Sequence, residues 1–193
     1  MKKSKQKIIK EKAGDLAHVD CHYLPKELLE NTNQRYYLLC VIDDCTRVAW
    51  CEVIPDLTSL TVMFATMRCF QMLEKQYKIR FKEVMTDNGP EFGSGKDKKN
   101  EKTNPFKRMV KEMGLTQRYI RPYHPQTNGK IERFWRTFEE DVIEGTSYEN
   151  LEKFEEEIFE YMIYYNEYRP HQGINGKIPD KFNKELFIST QLP

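Results

Sequence analysis

Three acids in this chain stand in contexts that set them apart. Asp20 lies within His18-Val19-Asp20-Cys21-His22, which alternates as a strand does. A period of two puts His18, Asp20 and His22 on one face and Val19 and Cys21 on the other. Asp87 ends the strand-like run 81–85 and is followed at once by Asn88-Gly89-Pro90. Strand ends beside turns are frequent seats of ligand-binding groups. Glu132 falls near the start of a predicted helix, on the side away from Ile131 and Trp135, where the helix dipole favours a carboxylate. Two Asp and one Glu are a hard oxygen set suited to Mg²⁺ or Mn²⁺. Two such ions about 4 Å apart activate an attacking oxygen and stabilise a leaving one at phosphorus. Spacing alone does not single out these acids from the 30 in the chain, because most Asp and Glu are turn caps or solvated surface groups.

The elements that must position them follow from the apolar pattern. Residues 16–23 alternate as a strand. Residues 36–42 form the near-continuous apolar run of a central strand. Asp43-Asp44 turns the chain, and 48–54 returns as a hairpin partner. Thr58 or Ser59 caps a helix whose stripe is Met63, Met67, Phe70 and Tyr77. A polar, Lys-rich loop is expected over 93–103. Asn104-Pro105 then opens a helix with Phe106, Val110 and Met113 inward, stopping at Gly114. Residues 115–120 suit another strand. A helix starts near Asn128 with the stripe Ile131, Trp135, Phe138 and Val142. Thr146 and Glu149 read as a capping box for a final helix carrying Leu151, Phe154, Ile158, Tyr161 and Tyr165. The order β-β-β-α-β-α-β-α-α predicts an α/β fold. Its mixed five-stranded sheet, an antiparallel hairpin plus parallel strands, is flanked by helices.

The 193 residues suit one domain, with residues 1–14 as a basic tail, 15–180 as the core and 181–193 as a C-terminal tail. No apolar run reaches the roughly 20 residues needed to cross a bilayer, and no secretory signal is evident, so a soluble cytoplasmic protein is expected. Five Cys without CxxC spacing argue for buried thiols in a reducing compartment over zinc or disulfides. Net charge is only +1, but its distribution is uneven. Residues 1–12 hold six Lys and one Glu, and residues 139–160 hold ten acids and one Lys. Between them, Arg118, Arg121, Lys130, Arg133 and Arg136 make a basic stretch that suits a polyanion on one face.

The words around the three acids resemble the integrase core of bacterial insertion-sequence transposases and retroviral integrases. The matching stretches are His18-Val19-Asp20, Val41-Ile42-Asp43-Asp44-Cys45-Thr46-Arg47 and Thr86-Asp87-Asn88-Gly89-Pro90-Glu91-Phe92. Two more follow: Tyr123-His124-Pro125-Gln126-Thr127-Asn128-Gly129-Lys130-Ile131-Glu132-Arg133, and Tyr165-Asn166-Glu167-Tyr168-Arg169-Pro170-His171-Gln172-Gly173. The resemblance implies a ribonuclease-H-like fold with Asp20, Asp87 and Glu132 as catalytic, metal-binding residues. The 44 residues between Asp87 and Glu132 exceed the retroviral interval, and the polar loop absorbs the surplus. The implied chemistry is water attack at an element end, then attack of the freed 3′-hydroxyl on target DNA. Implied partners are element-end and target DNA and further copies of the chain, with no membrane.

Residues nearby carry two readings each. His124, Gln126 and Asn128 contact DNA, or His124 makes a structural bond and Asn128 is only a helix cap. Lys130, Arg133 and Arg136 pair with phosphates, or Arg136 pairs with Glu132 one turn away. Asp44 suits turn capping better than metal ligation, while Glu91 lies close enough in sequence to approach the site. Two alternatives to a strand transferase stay open: a non-catalytic DNA-binding or assembly module, and a ribonuclease-H-like nuclease. The helix-turn-helix that usually precedes this core in transposases has no counterpart in these residues, so weak end-specific recognition is expected.

Overall fold

The computed structural model describes residues 10–93, 103–120 and 129–189. The strands are β1 Ala17–Tyr23, β2 Tyr37–Asp43, β3 Ala49–Ile54, β4 Glu83–Thr86 and β5 Thr116–Tyr119. The helices are α1 Ser59–Tyr77, α2 Pro105–Glu112, α3 Gly129–Phe138, α4 Leu151–Glu167 and α5 Pro179–Ser189. One sheet runs β3-β2-β1-β4-β5. β1, β2 and β3 pair antiparallel, and β4 and β5 add to β1 in parallel. The mixed five-stranded sheet expected from the pattern is therefore the observed one. β2 is central to the antiparallel part and Leu38 to Ile42 are fully buried, which is why its sequence lacks alternation.

Caps and packing refine the helices. The Thr58 hydroxyl accepts from Thr61 N at 3.3 Å to open α1. The core face of α1 is Val62, Ala65, Cys69, Phe70, Leu73 and Tyr77. Met63 and Met67 lie to one side of it, only partly buried, so the expected stripe was rotated. Asn104 caps α2 by accepting from Lys107 N at 3.0 Å. Met109, not Met113, joins Phe106 and Val110 inside, because α2 ends at Glu112 and Met113 is 47% exposed. The cap of α4 is Asn150, accepting from Lys153 N at 2.9 Å, which corrects the capping box placed at Thr146 and Glu149. α3 continues through a π-helical turn, Glu139–Ile143, that keeps Val142 buried.

The expected C-terminal tail is a helix over most of its length. Pro179 opens α5, and Asn183 donates to Tyr77 O at 2.7 Å across the α1 terminus. Asn166 of α4 accepts from Ala49 N at 2.9 Å and donates to Ala49 O at 2.8 Å. That side chain satisfies both backbone groups of a residue on the edge strand β3, where no further strand would. Four of the five Cys are buried free thiols and Cys21 is partly buried. Among the described residues, no helix is long and apolar enough to cross a membrane.

Candidate active site

Strand register brings the first two acids together. β1 and β4 are parallel with His18 opposite Met85. Carried on by two residues, that register points from Asp20, in the middle of β1, to Asp87, just past the end of β4, and the Asp87 charge acts on Asp20. Asp87 leaves β4 in a tight turn, its Oδ1 accepting from Gly89 N at 2.8 Å. A single helical turn, Pro90–Phe92, then folds Glu91 back over Gly89. A Cβ at Gly89 would lie 2.4 Å from Glu91 Oε1, so only glycine lets that carboxylate approach. Phe92 anchors the turn, fully buried and edge-on to Phe106 at 5.0 Å.

The predicted face of β1 is the one that meets α3. Trp135 Nε1 donates to Asp20 Oδ2 at 3.0 Å, and the same indole stacks on His22 at 4.9 Å. His22 Nε2 lies 3.0 Å from Glu139 Oε1. Burial pushes the Asp20 carboxyl up to about 6, the Trp135 bond opposes this, and the neighbouring Asp87 and Glu91 charges push it further. The fold therefore crowds three carboxylates, Asp20, Asp87 and Glu91, into one field.

Glu132 stands three residues before Trp135 on α3, with an exposed side chain. That spacing puts it one turn up the helix on the same flank as Trp135, the residue that holds Asp20, which corrects the expectation that Glu132 faces away from Trp135. Among the described residues no group of three His, Cys, Asp or Glu is close enough to hold a metal ion. The structure thus brings Asp20 and Asp87 together, adds Glu91, and leaves Glu132 on the adjacent helix turn outside a closed ligand set. His124, Gln126 and Asn128 lie outside the described residues.

The remaining candidates separate. Lys130 is not an open phosphate ligand: its ammonium is paired with Asp44 and donates to Asp44 O at 3.0 Å. Asp44 is 1% exposed, and its Oδ1 also meets His18 Nε2 at 2.7 Å while Oδ2 accepts from Lys10 N at 2.8 Å. Burial opposes its charge, but the bonds from His18, Lys130 and Lys10 hold its carboxyl well below the usual range. The turn cap expected of Asp44 is made by Asp43 instead, which accepts from Thr46 N at 2.7 Å, Thr46 Oγ1 at 2.8 Å and Gly14 N at 2.8 Å. Arg133 and Arg136 are both exposed on α3. Sequence reasoning missed the roles of Trp135 and Lys130. The spacing of Trp135 from Glu132 was visible, but only the packing of α3 on β1 made it a partner of Asp20.

Two models of the integrase core domain match the chain, one over residues 11–125 and the other over 113–179. The chain belongs to the integrase core domain family. It is 25% identical over 176 residues to the ORF3 protein, named an integrase, of Spiroplasma virus SpV1-C74, covering 86% of this chain and 46% of that protein. It is 28% identical over 102 residues to the transposase for insertion sequence element IS904 of Lactococcus lactis, covering 52% of this chain and 37% of that one. The chain thus spans less than half the length of these relatives. Among solved structures, the catalytic core domain of BIV integrase superposes with a TM-score of 0.61 at 19% identity, covering 93% of this chain and 99% of that one. The HTLV-2 integrase catalytic core domain in complex with magnesium gives 0.58 at 14%, covering 89% and 97%. These likenesses establish the ribonuclease-H-like integrase-core fold.

Proposed function

We propose that this chain is the catalytic core of a DNA transposase or integrase that cuts and joins DNA strands with Mg²⁺ or Mn²⁺ held by Asp20, Asp87 and Glu132. The observation that carries the reading is the parallel register that sets Asp20 beside Asp87, with Asp20 raised by burial and by like charge. A buried acid crowded by two others is a site whose charge deficit a hard cation relieves, and its donors are all oxygen. Family membership and relatives named as integrase and transposase support DNA as the substrate.

Bound divalent metal supplies charge neutralisation for the phosphate and a lowered pKa for the attacking hydroxyl. The chain's own residues do the rest. Asp20 offers oxygens from the middle of β1 and Asp87 from the turn that leaves β4. Trp135 holds the Asp20 carboxylate by donating to Oδ2. Glu132, on the same flank of α3 as Trp135, would supply the third carboxylate to a bound metal. Glu91 adds negative field beside Asp87. In each step an oxygen nucleophile, water or a 3′-hydroxyl, forms a bond to phosphorus as the opposite P–O bond breaks; the nucleophile's proton goes to solvent and the leaving oxygen takes one up from solvent. Handling two element ends and a target calls for more than one copy of the chain.

Mn²⁺ titration by calorimetry, with and without a nicked duplex, tests this reading. Wild type is expected to bind and Asp87→Asn to lose binding and DNA nicking together. An Asp87→Asn protein that nicks DNA at the wild-type rate overturns the assignment.

A further inference from the structure

The Tyr165-to-Gly173 word and the Thr46-Arg47 word take no part in the carboxylate site, yet they meet. Between α3 and the chain leaving α4 lies a cleft of about 740 Å³, lined by Arg47, Arg133, Thr137, Arg169, His171 and Gly173 among others. No acidic side chain is among its described lining residues. Two of its other cations are already used: Lys130 is held by Asp44, and Arg169 is paired with Asp141.

Arg47 is different. It sits in the β2–β3 turn with φ 69°, a left-handed conformation that normally takes Gly or Asn and strains a residue with a Cβ. Its Nη1 is buried without a hydrogen-bond partner among the described residues. The backbone at Gly173 runs alongside the guanidinium: a Cβ there would sit in van der Waals contact with Arg47 Nε at 3.5 Å. The Asp44 and Asp43 charges act on Arg47, yet Nη1 stays without a partner beside a cleft whose described lining holds no acid, and an anion in the cleft would supply that partner.

We infer that this cleft is a second DNA contact, in which Arg47 and Arg133 grip a backbone phosphate on the flank of α3 opposite the Asp20 side. The inference rests on the proposed action on DNA. At 100° per residue, Gly129, Arg133 and Thr137 share one flank, while Glu132 and Trp135 lie on the other. A helix with side chains is roughly 10 Å across, which spans about three steps of a strand rising 3.4 Å each. The phosphate gripped here therefore lies a few nucleotides from the reacting one, and its contact fixes the strand's direction through the site.

The test measures duplex DNA affinity by fluorescence anisotropy across a salt series for wild type, Arg47→Gln, Arg133→Gln and the double variant. A parallel arm follows the backbone amide signals of Thr137 and Gly173 by NMR as pyrophosphate is added. Each single variant is expected to lower the log–log salt slope by about 0.9. Pyrophosphate is expected to shift both amides in wild type and not in the double variant. Arg133 is exposed, so its variant reports even where Arg47→Gln fails to fold. Wild-type binding with unchanged slopes in Arg133→Gln and no pyrophosphate shift sinks the cleft and leaves the DNA reading intact. Pyrophosphate shifts lost in the double variant, without duplex binding by wild type, support an anion site and overturn the DNA reading.

Discussion

Asp20→Asn isolates the charge crowding that defines the site. Asp20 protonates near pH 6 in the folded chain against an ordinary 3.8, a gap of about two units. At 1.36 kcal/mol per unit, keeping it ionised costs the metal-free fold up to about 3 kcal/mol. The sign follows from proton linkage: the folded state holds this proton more tightly than the unfolded chain. The penalty is therefore absent below about pH 4, grows between 4 and 6, and is complete above 6. Asparagine is neutral throughout and still accepts from Trp135. In EDTA at pH 7.5 the variant should melt higher than wild type, by roughly 6–12 °C at 2–4 °C per kcal/mol for a chain of this size. The gap should close at pH 4. Added Mn²⁺ should raise the wild-type Tm by mass action and leave the variant unmoved, and the variant should not cut DNA. A variant that melts at or below wild type in EDTA at pH 7.5 refutes the claim that burial and neighbouring carboxylates strain this position.

Further substitutions probe the supports. Trp135→Phe removes the hydrogen bond to Asp20 and should raise the Asp20 pKa further, with about 1.5–3 kcal/mol lost at neutral pH and slower cleavage; a carboxyl-carbon NMR titration checks the direction. Lys130→Met leaves Asp44 buried with a missing partner and should cost about 3–5 kcal/mol in denaturant unfolding, while the DNA salt slope changes little. A stable Lys130→Met with a reduced slope would instead restore Lys130 as a phosphate ligand. Gly89→Ala should displace the Glu91 carboxylate and lower the Asp20 pKa, read by the same titration. Asn166→Leu strands both backbone groups of Ala49 and should destabilise by about 2–4 kcal/mol without altering Mn²⁺ affinity at Asp87.

The fold was legible where local chemistry decides. The unbroken apolar run of β2, the Asn104-Pro105 start of α2 and the alternation of β1 each follow from burial or backbone geometry within a few residues. The β1 alternation already put His18, Asp20 and His22 on one face, and the family words chose Asp20 and Asp87 from among 30 acids. Where an apolar stripe has partly buried flanks, as at Met63 and Met67, pattern alone could not choose which side meets the sheet. α5 was missed because its docking depends on Asn183 reaching Tyr77, 106 residues away.

Only tertiary structure decided who partners whom. Lys130 and Arg133 are alike in sequence, three residues apart on one helix. The first falls over Asp44, which is buried by the β2–β3 turn, and is consumed by that charge. The second faces a cleft that exists because the chain returning from α4 passes Arg47. Parallel register between β1 and β4 sets Asp20 beside Asp87, and the packing of α3 on β1 gives Asp20 its indole partner. Side-chain chemistry is written residue by residue, but the field at a carboxylate is a sum over neighbours. Those neighbours come from strands and helices far apart in the chain.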